Sequence, residues 1–294
     1  MAVTHCCPSD VSVDRIDPCS HEEADTRMFL HVAHAVQEGH RKIMIRTVDT
    51  DVVVLAISCC QRLAQLEELW VAFGTGRNLR YLASHELSKA LGQDRSLALP
   101  FFHAFSGCDT VSSFVGHGKK SAWNTWSSFP DVTKAFLELS SQPDPAQVTQ
   151  CLPLLERFVV LLYDRTSNMT AVNAARKQLF SKKGRPMESL PPTQGALIQH
   201  TNRAVFQSGY VWFRSLQAKQ DLPFPCDWGW IKDDEGGVLR PLWSSLPDIA
   251  KCCPELLHCS CKKGCSKRCT CVKAVLPCTA LCYCDGDCTR DHDQ

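Results

Sequence analysis

The sequence predicts an α/β fold with a parallel sheet, followed by a small domain built on cysteines. Two features predict this arrangement. From Ser20 to Gln93 the apolar residues switch between helical and extended periodicity, which is typical of βα units. Eleven of the 19 cysteines lie after residue 251, whereas the chain as a whole is 44% apolar and long enough to bury a core.

The first elements follow from the spacing of apolar residues. KIMIRT (42–47) predicts a strand, VAFGTG (71–76) a short strand and turn, and YLASHELSKALGQ (81–93) a helix. VVVLAISCCQRLAQL (52–66) is either a buried strand end or a helix. Before these segments, four residues recur at helical spacing and Gly39 ends the helix: Ala24, Met28, Val32 and Ala35.

Composition divides the chain into four predicted parts. Residues 146–182 read mostly as helix, and proline and tryptophan crowd the stretch that follows. The parts are an irregular lead-in (1–19), a core with a helical extension (20–182), a Pro- and Trp-rich connector (183–250) and a zinc module (251–294).

Charge and hydropathy exclude some classes of function. The formal net charge is +1, so overall charge indicates neither a nucleic acid nor a membrane partner. The longest apolar runs, residues 52–57 and 158–163, are too short to cross a bilayer, and the N-terminus lacks a signal-peptide pattern. We therefore expect an intracellular protein with no membrane partner.

Four acidic residues lie at two points that a parallel sheet would bring together. Asp49 and Asp51 follow the KIMIRT strand and, two residues apart in extended chain, would face the same side. Glu23 and Asp25 begin the preceding helix and could approach the same strand end. Carboxylate oxygens suit Mg²⁺ or Mn²⁺, and two such ions could clamp a phosphodiester for attack by water. The alternatives are local, because Glu23 could complete a capping box with Ser20 and Asp-Thr-Asp could be a turn.

These segments together resemble the 5′-nuclease superfamily, which includes flap endonucleases and the wider PIN-like fold. Glu23-Ala24-Asp25 and Asp49-Thr50-Asp51 are similar to the family's E-A-D and D-x-D motifs, and Phe105-Ser106-Gly107-Cys108-Asp109 is similar to its L-L-G-x-D. The resemblance covers residues 20–130 and implies a PIN-like parallel sheet with helices. It also implies that five carboxylates hold the metal ions of a nuclease: Glu23, Asp25, Asp49, Asp51 and Asp109.

A glycine-rich segment follows the Asp109 motif. Gly116-His117-Gly118-Lys119-Lys120 resembles the family's G-x-G-x-K-x-A helical hairpin. Its glycines would let a phosphate approach the backbone, and helix N-termini together with Lys119 and Lys120 would attract it. The alternative is a tight glycine turn with solvated lysines. His103 and His117 flank the Asp109 motif and could also reach a phosphate.

Family members carry two further aspartates, on segments ahead of the E-A-D helix. Here residues 1–19 precede that helix, and we interpret Asp10, Asp14 and Asp17 as loop acids. Two functions therefore stay open. One is a structure-specific nuclease that uses Mg²⁺ or Mn²⁺ and lacks part of the N-terminal catalytic region. The other is a catalytically inactive protein that binds nucleic acid or chromatin.

Nine cysteines near the C-terminus form the most specific pattern in the chain. A reducing compartment disfavours disulfides, and thiolate is the preferred ligand of zinc. Nine ligands do not divide into separate four-coordinate sites, so we expect shared thiolates, most simply about three Zn²⁺ ions on nine sulfurs. The predicted ligands are Cys259, Cys261, Cys265, Cys269, Cys271, Cys278, Cys282, Cys284 and Cys288.

The spacing of these cysteines resembles the tesmin/TSO1-like CXC domain, in which such a cluster replaces a hydrophobic core. Basic residues between the cysteines could meet the phosphates of DNA: Lys262, Lys263, Lys267, Arg268 and Lys273. The alternatives to DNA binding are a module that only stabilises the fold and a module that contacts another protein. A nuclease-like core joined to this module predicts a nuclear protein that binds DNA, and the combination suggests a mobile-element origin.

Overall fold

The chain divides into two units, Met1–Trp243 and Ser244–Gln294. The computed structural model of the protein describes residues 16–141, 143–181, 189–233, 237–244, 259–261, 265–273, 278 and 282–284. The predicted lead-in, residues 1–19, therefore lies mostly outside the described residues.

A three-stranded sheet lies in the first unit, in the order β1 (Lys42–Thr47), β2 (Glu68–Phe73) and β3 (Arg80–Ala83). β1 pairs with β2 in parallel, whereas β3 pairs with β2 in antiparallel orientation. The sheet is therefore mixed, and the prediction of a parallel sheet holds for the β1–β2 pair but not for β3. The short 3₁₀ turn Gly76–Asn78 explains the difference, because a parallel neighbour needs a long crossover connection.

Helices α1 (Ala24–Gln37), α2 (Thr50–Arg62) and α3 (Ser84–Leu91) accompany the sheet. The segment 52–66, for which the sequence allowed either a strand end or a helix, thus contributes to helix α2. The helix predicted from residue 81 is preceded by strand β3. Helix α1 buries a stripe different from the predicted one, since of the four predicted positions only Val32 is buried. Its other buried apolar residues are Phe29, Leu30, Ala33 and Val36.

Helix α4 (Gln93–Phe105) occupies the centre of the first unit. It is buried on nearly every side from Ala98 onward, as expected for a helix that is apolar all round. Helices α2, α6 (Val132–Ser141) and α9 (Gln194–Val205) pack against it. The remaining long helices are α5 (Lys119–Ser128), α7 (Pro145–Tyr163) and α8 (Val172–Ser181).

The stretch predicted as a connector, residues 183–250, contributes regular structure to the core. Helix α9 continues into a π-helix, Phe206–Trp212, and Trp212 is 2% exposed. A 3₁₀ turn, Pro225–Trp228, then leads into the antiparallel pair β4 (Trp230–Lys232) and β5 (Leu239–Pro241). None of the described helices has the length and hydropathy that a bilayer span requires.

Candidate functional site

Two of the predicted acids, Asp49 and Asp51, follow strand β1. The Asp49 carboxylate caps helix α2, since its Oδ1 accepts a hydrogen bond from the backbone N–H of Asp51 at 2.8 Å. Asp51 lies in the first turn of that helix. The expected extended Asp-Thr-Asp geometry is therefore wrong, because α2 begins at Thr50. Both carboxylates nevertheless lie at the carboxyl end of β1.

Glu23 lies at the start of helix α1 without acting as a side-chain cap. It occupies the N-cap position, but its carboxylate accepts hydrogen bonds from Gln207 Nε2 at 3.2 and 3.3 Å. Ser20 is engaged elsewhere, since its Oγ accepts from the backbone N–H of Gln220 at 2.7 Å. The alternative of a capping box between Ser20 and Glu23 is therefore wrong.

Asp25 lies close enough to the other predicted acids for their charges to act on it. Its pKa is raised to about 6, mainly by burial and then by the negative charges of Asp49, Glu23, Asp51 and Asp109. Burial also raises the pKa of Glu23, and the charge of Asp51 adds to that effect. The other four residues of the predicted set therefore lie within electrostatic reach of Asp25, although the five come from three separate segments.

Asp109 reaches this place on the loop that follows helix α4. The helix ends at Phe105, and Gly107 adopts a φ of +109°, a conformation that favours glycine after a helix end. A Cβ on Gly107 would lie 2.6 Å from the Cβ of Ser113, so the loop closes tightly on itself. Asp109 itself is exposed.

Buried side chains from distant segments support the acids. The His103 Nε2 atom lies 2.7 Å from Asp51 Oδ1, and the imidazole packs on Trp212 with ring centroids 5.9 Å apart. Gln207 and Trp212 hydrogen-bond to Glu23 and oppose the rise of its pKa. His103, Gln207 and Trp212 are each at least nine-tenths buried. Sequence motifs missed Gln207 and Trp212, because neither adjoins a motif.

Lys119 lies at the start of helix α5, and its ammonium points inward. It donates hydrogen bonds to His103 O at 2.8 Å, to Ser106 Oγ at 3.1 Å and to Gly107 O. Burial lowers its pKa, an effect that the charges of Cys108 and Asp51 oppose. Lys119 is thus not a solvated lysine. Its hydrogen bonds stabilise the start of the loop that carries Asp109. Its contact with nucleic acid stays a prediction.

The rest of the glycine-rich segment lies at the surface. Gly116 has a φ of +75°, Gly118 is the N-cap of helix α5, and Lys120 is exposed. The segment joins α4 to α5 through the loop that carries Asp109. The N-terminus of α5 and Lys120 therefore present positive charge to solvent beside the acidic site.

The five carboxylates fit Mg²⁺ or Mn²⁺ in chemistry but do not converge on one point. Within the described part, no lysine or arginine forms an ion pair with any of them. Hard oxygen donors without a cationic partner are typical ligands of such ions. No three carboxylate or imidazole ligand atoms of the described residues all lie within 4.8 Å of one another. Mutual repulsion between unneutralised carboxylates favours this spacing.

In the second unit, cysteine sulfurs gather at metal-ligand spacing. The Sγ–Sγ distances are 3.5 Å for Cys259–Cys265, 3.5 Å for Cys265–Cys278 and 3.6 Å for Cys271–Cys282. Four sulfurs bound to one zinc ion at about 2.3 Å would lie about 3.8 Å apart. Two sets of four thiols have this arrangement: Cys259, Cys271, Cys278 and Cys282, and Cys259, Cys265, Cys269 and Cys278.

The cluster can therefore hold metal, and its geometry is consistent with zinc. Cys259 and Cys278 belong to both sets of four, which agrees with the expectation of shared thiolates. Backbone hydrogen bonding by Val272 lowers the pKa of Cys269 to about 6, which favours the thiolate. Cys261 and Cys284 pack against the cluster. Among the described residues, none of these eight cysteines forms a disulfide.

The predicted basic patch is described in part. Lys267, Arg268 and Lys273 are exposed in the second unit, the last at the end of the short helix α10 (Thr270–Lys273). Lys262, Lys263 and Cys288 lie outside the described residues.

No known protein family, curated protein or solved structure matches the chain. The resemblances to the 5′-nuclease superfamily and to the CXC domain therefore rest on the motifs alone.

Proposed function

We propose that the first unit binds Mg²⁺ or Mn²⁺ and cleaves phosphodiester bonds of nucleic acid, with DNA as the preferred substrate. The ligands are Glu23, Asp25, Asp49, Asp51 and Asp109. The observation that carries the proposal is the environment of Asp25, whose pKa is raised to about 6 by burial and by four neighbouring carboxylates. Like charges held together in this way favour the binding of a cation.

The packing around the acids supports a functional role. Among the described residues, no lysine or arginine forms an ion pair with any of these five carboxylates. His103 orients Asp51, and Gln207 orients Glu23. When bound, divalent cations would stabilise the charge of the phosphodiester under attack and activate water. The chain's own part is to hold the carboxylates in place and to keep Asp109 beside them.

A second candidate is a catalytically inactive protein that binds nucleic acid or chromatin. The spacing of the carboxylate oxygens favours it, because no three of them converge within 4.8 Å in the described part. Under this alternative the acids would neither bind Mn²⁺ tightly nor support cleavage, while the contacts with nucleic acid would persist.

For the second unit we infer a zinc module of the CXC type. Two sets of four thiols that share Cys259 and Cys278 account for two ions. Addition of Cys261, Cys284 and Cys288 would complete about three ions on nine sulfurs. Lys267 and Arg268 on this module would meet DNA phosphates together with Lys262 and Lys263.

Cleavage by the zinc-loaded full chain separates the two candidates. Labelled flap, single-stranded and hairpin DNA are incubated with Mn²⁺. We expect cleavage, and we expect Asp49→Asn and Asp51→Asn to slow it by about 100-fold or more, since even loss of a group that supports a ligand costs 10- to 100-fold. Asp131→Asn, at an exposed acid on the surface, should cleave like the wild type. Absence of metal-dependent cleavage on every substrate would leave the inactive alternative, whereas full activity in both variants would show that these carboxylates do not carry the cleavage.

A further inference from the structure

Three adjoining cavities line one side of the loop that carries Asp109. The first, about 790 Å³, and the second, about 750 Å³, share Thr110 and Trp230 in their walls. The second and the third, about 260 Å³, share Ser112, Ser113 and Trp243. The three cavities thus adjoin one another through shared lining residues, and we refer to them together as the groove.

One wall of this groove is aromatic. Phe224 and Trp230 line the first cavity, and Trp230 and Trp243 line the second. Phe224 is 60% exposed and Trp243 is 63% exposed, so both offer ring surface to a ligand. All three lie in the stretch 222–243, beyond the residues that resemble a nuclease. Ring faces of this kind bind unpaired bases irrespective of sequence.

The groove passes directly by the acidic residues. Glu23 lines the first cavity and Asp109 lines the second. A strand whose bases lie against Phe224 and Trp243 would therefore carry its backbone past these carboxylates. Unpaired bases can enter such a groove, whereas the bases of a duplex are stacked on one another and cannot.

One cation lies at the far end of the groove. Arg203 is 2% exposed, lines the third cavity and lies with its guanidinium carbon 5.4 Å from the centre of the Trp243 ring. Its Nη1 donates to Gly229 O at 2.9 Å and to Leu242 O at 2.7 Å, which fixes the aromatic wall. Among the described residues that line the three cavities, Arg203 is the sole lysine or arginine, so it supplies the positive charge of this lining.

From these observations we propose that the groove binds single-stranded nucleic acid by stacking unpaired bases on Phe224, Trp230 and Trp243, with a phosphate near Arg203. The proposal rests on the proposed function, because it names the substrate of the same site. Glu22, Glu23 and Asp109 repel phosphates, so binding should be strengthened by divalent cations.

Binding is measured by the anisotropy of a labelled oligothymidylate in Ca²⁺ with the zinc-loaded full chain. We expect Phe224→Ala and Trp243→Ala each to weaken binding by about fivefold to 150-fold, and Trp243→Phe to restore most of it. Tyr81→Ala and Phe180→Ala serve as matched controls, because Tyr81 is 59% and Phe180 is 68% exposed and neither lines the groove. A duplex of the same length should bind more weakly, and oligouridylate in place of oligothymidylate shows whether RNA shares the site.

Several results would overturn the proposal that the groove binds single strands. The wild type could fail to bind the oligonucleotide, or the groove variants could bind it as tightly as the wild type. The control variants could lose as much affinity as the groove variants, or the duplex could bind as tightly as the single strand. If Trp243→Ala changes only the molecular mass measured by light scattering, this face is an interface between copies of the chain. That result would also overturn the proposal that the groove binds nucleic acid. Cleavage of the same oligonucleotide in Mn²⁺ tests the proposed function separately. Cleavage that is lost in the Asp49 variant but unchanged in the aromatic variants would contradict the groove proposal alone. Binding that is weakened in the aromatic variants, without any cleavage by the wild type, would contradict the nuclease proposal alone.

Discussion

At the scale of single residues, a few buried polar side chains fix the acidic site. His103 is the clearest case, because its ring approaches Asp51 while its backbone oxygen accepts a hydrogen bond from Lys119. From the sequence, His103 was a residue that could reach a phosphate. The structure instead places it behind Asp51, buried against Trp212. Its position allows it to orient a carboxylate and prevents direct contact with solvent.

His200 makes the stability of the first unit depend on pH. Its ring is buried, with Nε2 2.8 Å from Phe105 O and Nδ1 2.9 Å from Ser112 Oγ, and burial lowers its pKa to about 4. In the unfolded chain the pKa is about 6.5. The unfolded state therefore binds the proton first as pH falls, so the stabilisation is present above pH 6.5 and is lost between about 6.5 and 4. We expect the loss to be about 3 kcal/mol.

Denaturant unfolding followed by tryptophan fluorescence measures this loss. His200→Gln should be less stable than the wild type at neutral pH and should lose less stability on acidification. His31→Gln, at an exposed helix position, should keep the wild-type pH profile. A His200→Gln profile as steep as that of the wild type would show that other groups cause the acid sensitivity.

At the scale of elements, the loop between α4 and α5 depends on Lys119. The ammonium donates to three acceptors at the end of helix α4, where a positive charge is also favoured by the helix dipole. Lys119→Met leaves these acceptors unpaired in a partly buried place. We expect it to lower the free energy of unfolding by about 2 kcal/mol.

The neighbouring lysine is the matched control for this prediction. Lys120 is exposed, so Lys120→Met should change the free energy of unfolding by no more than about 0.5 kcal/mol. Urea unfolding at several salt concentrations makes the comparison. Equal stability of the two variants would contradict the assignment of Lys119 as the anchor of the loop.

Some of the elements could be predicted from the sequence and others could not. Strand β1 and helix α1 were predictable because their patterns are local, and the acids at their ends were predicted as neighbours. The prediction of which face of α1 is buried was wrong, because it relied on Ala24 and Met28 and passed over the larger Phe29 and Leu30, which are buried. Strand β3 was missed because YLA reads equally well as the start of a helix. The groove wall could not be predicted, since it depends on contacts between residues far apart in sequence.

At the scale of the whole molecule, the two units depend on different forces. The first buries a continuous apolar core that includes Trp126 and Trp212. The described part of the second buries cysteines. A segment with so little apolar surface needs metal for its folding energy. We therefore expect a zinc chelator to unfold the second unit and to leave the first intact.

The distribution of tryptophan makes this prediction measurable in the full chain. All seven tryptophans lie within Met1–Trp243, so their fluorescence reports on the first unit alone. Elemental analysis should return about three zinc ions per chain. Chelation should release them and expose the cysteines to a thiol reagent without changing the tryptophan spectrum. One zinc ion or none, or cysteines that resist the reagent because they form disulfides, would contradict the cluster.

Binding of Mn²⁺ to the carboxylates is the measurement that tests the central claim most directly. The zinc-loaded chain is titrated with Mn²⁺, and free Mn²⁺ is counted by electron paramagnetic resonance. We predict saturable binding of about one or two ions per chain. In Asp25→Asn and Asp49→Asn the affinity should fall by about 100-fold or more, and in Asp131→Asn it should stay unchanged. Absence of saturable binding, or equal affinity in all four proteins, would contradict a metal site at these carboxylates.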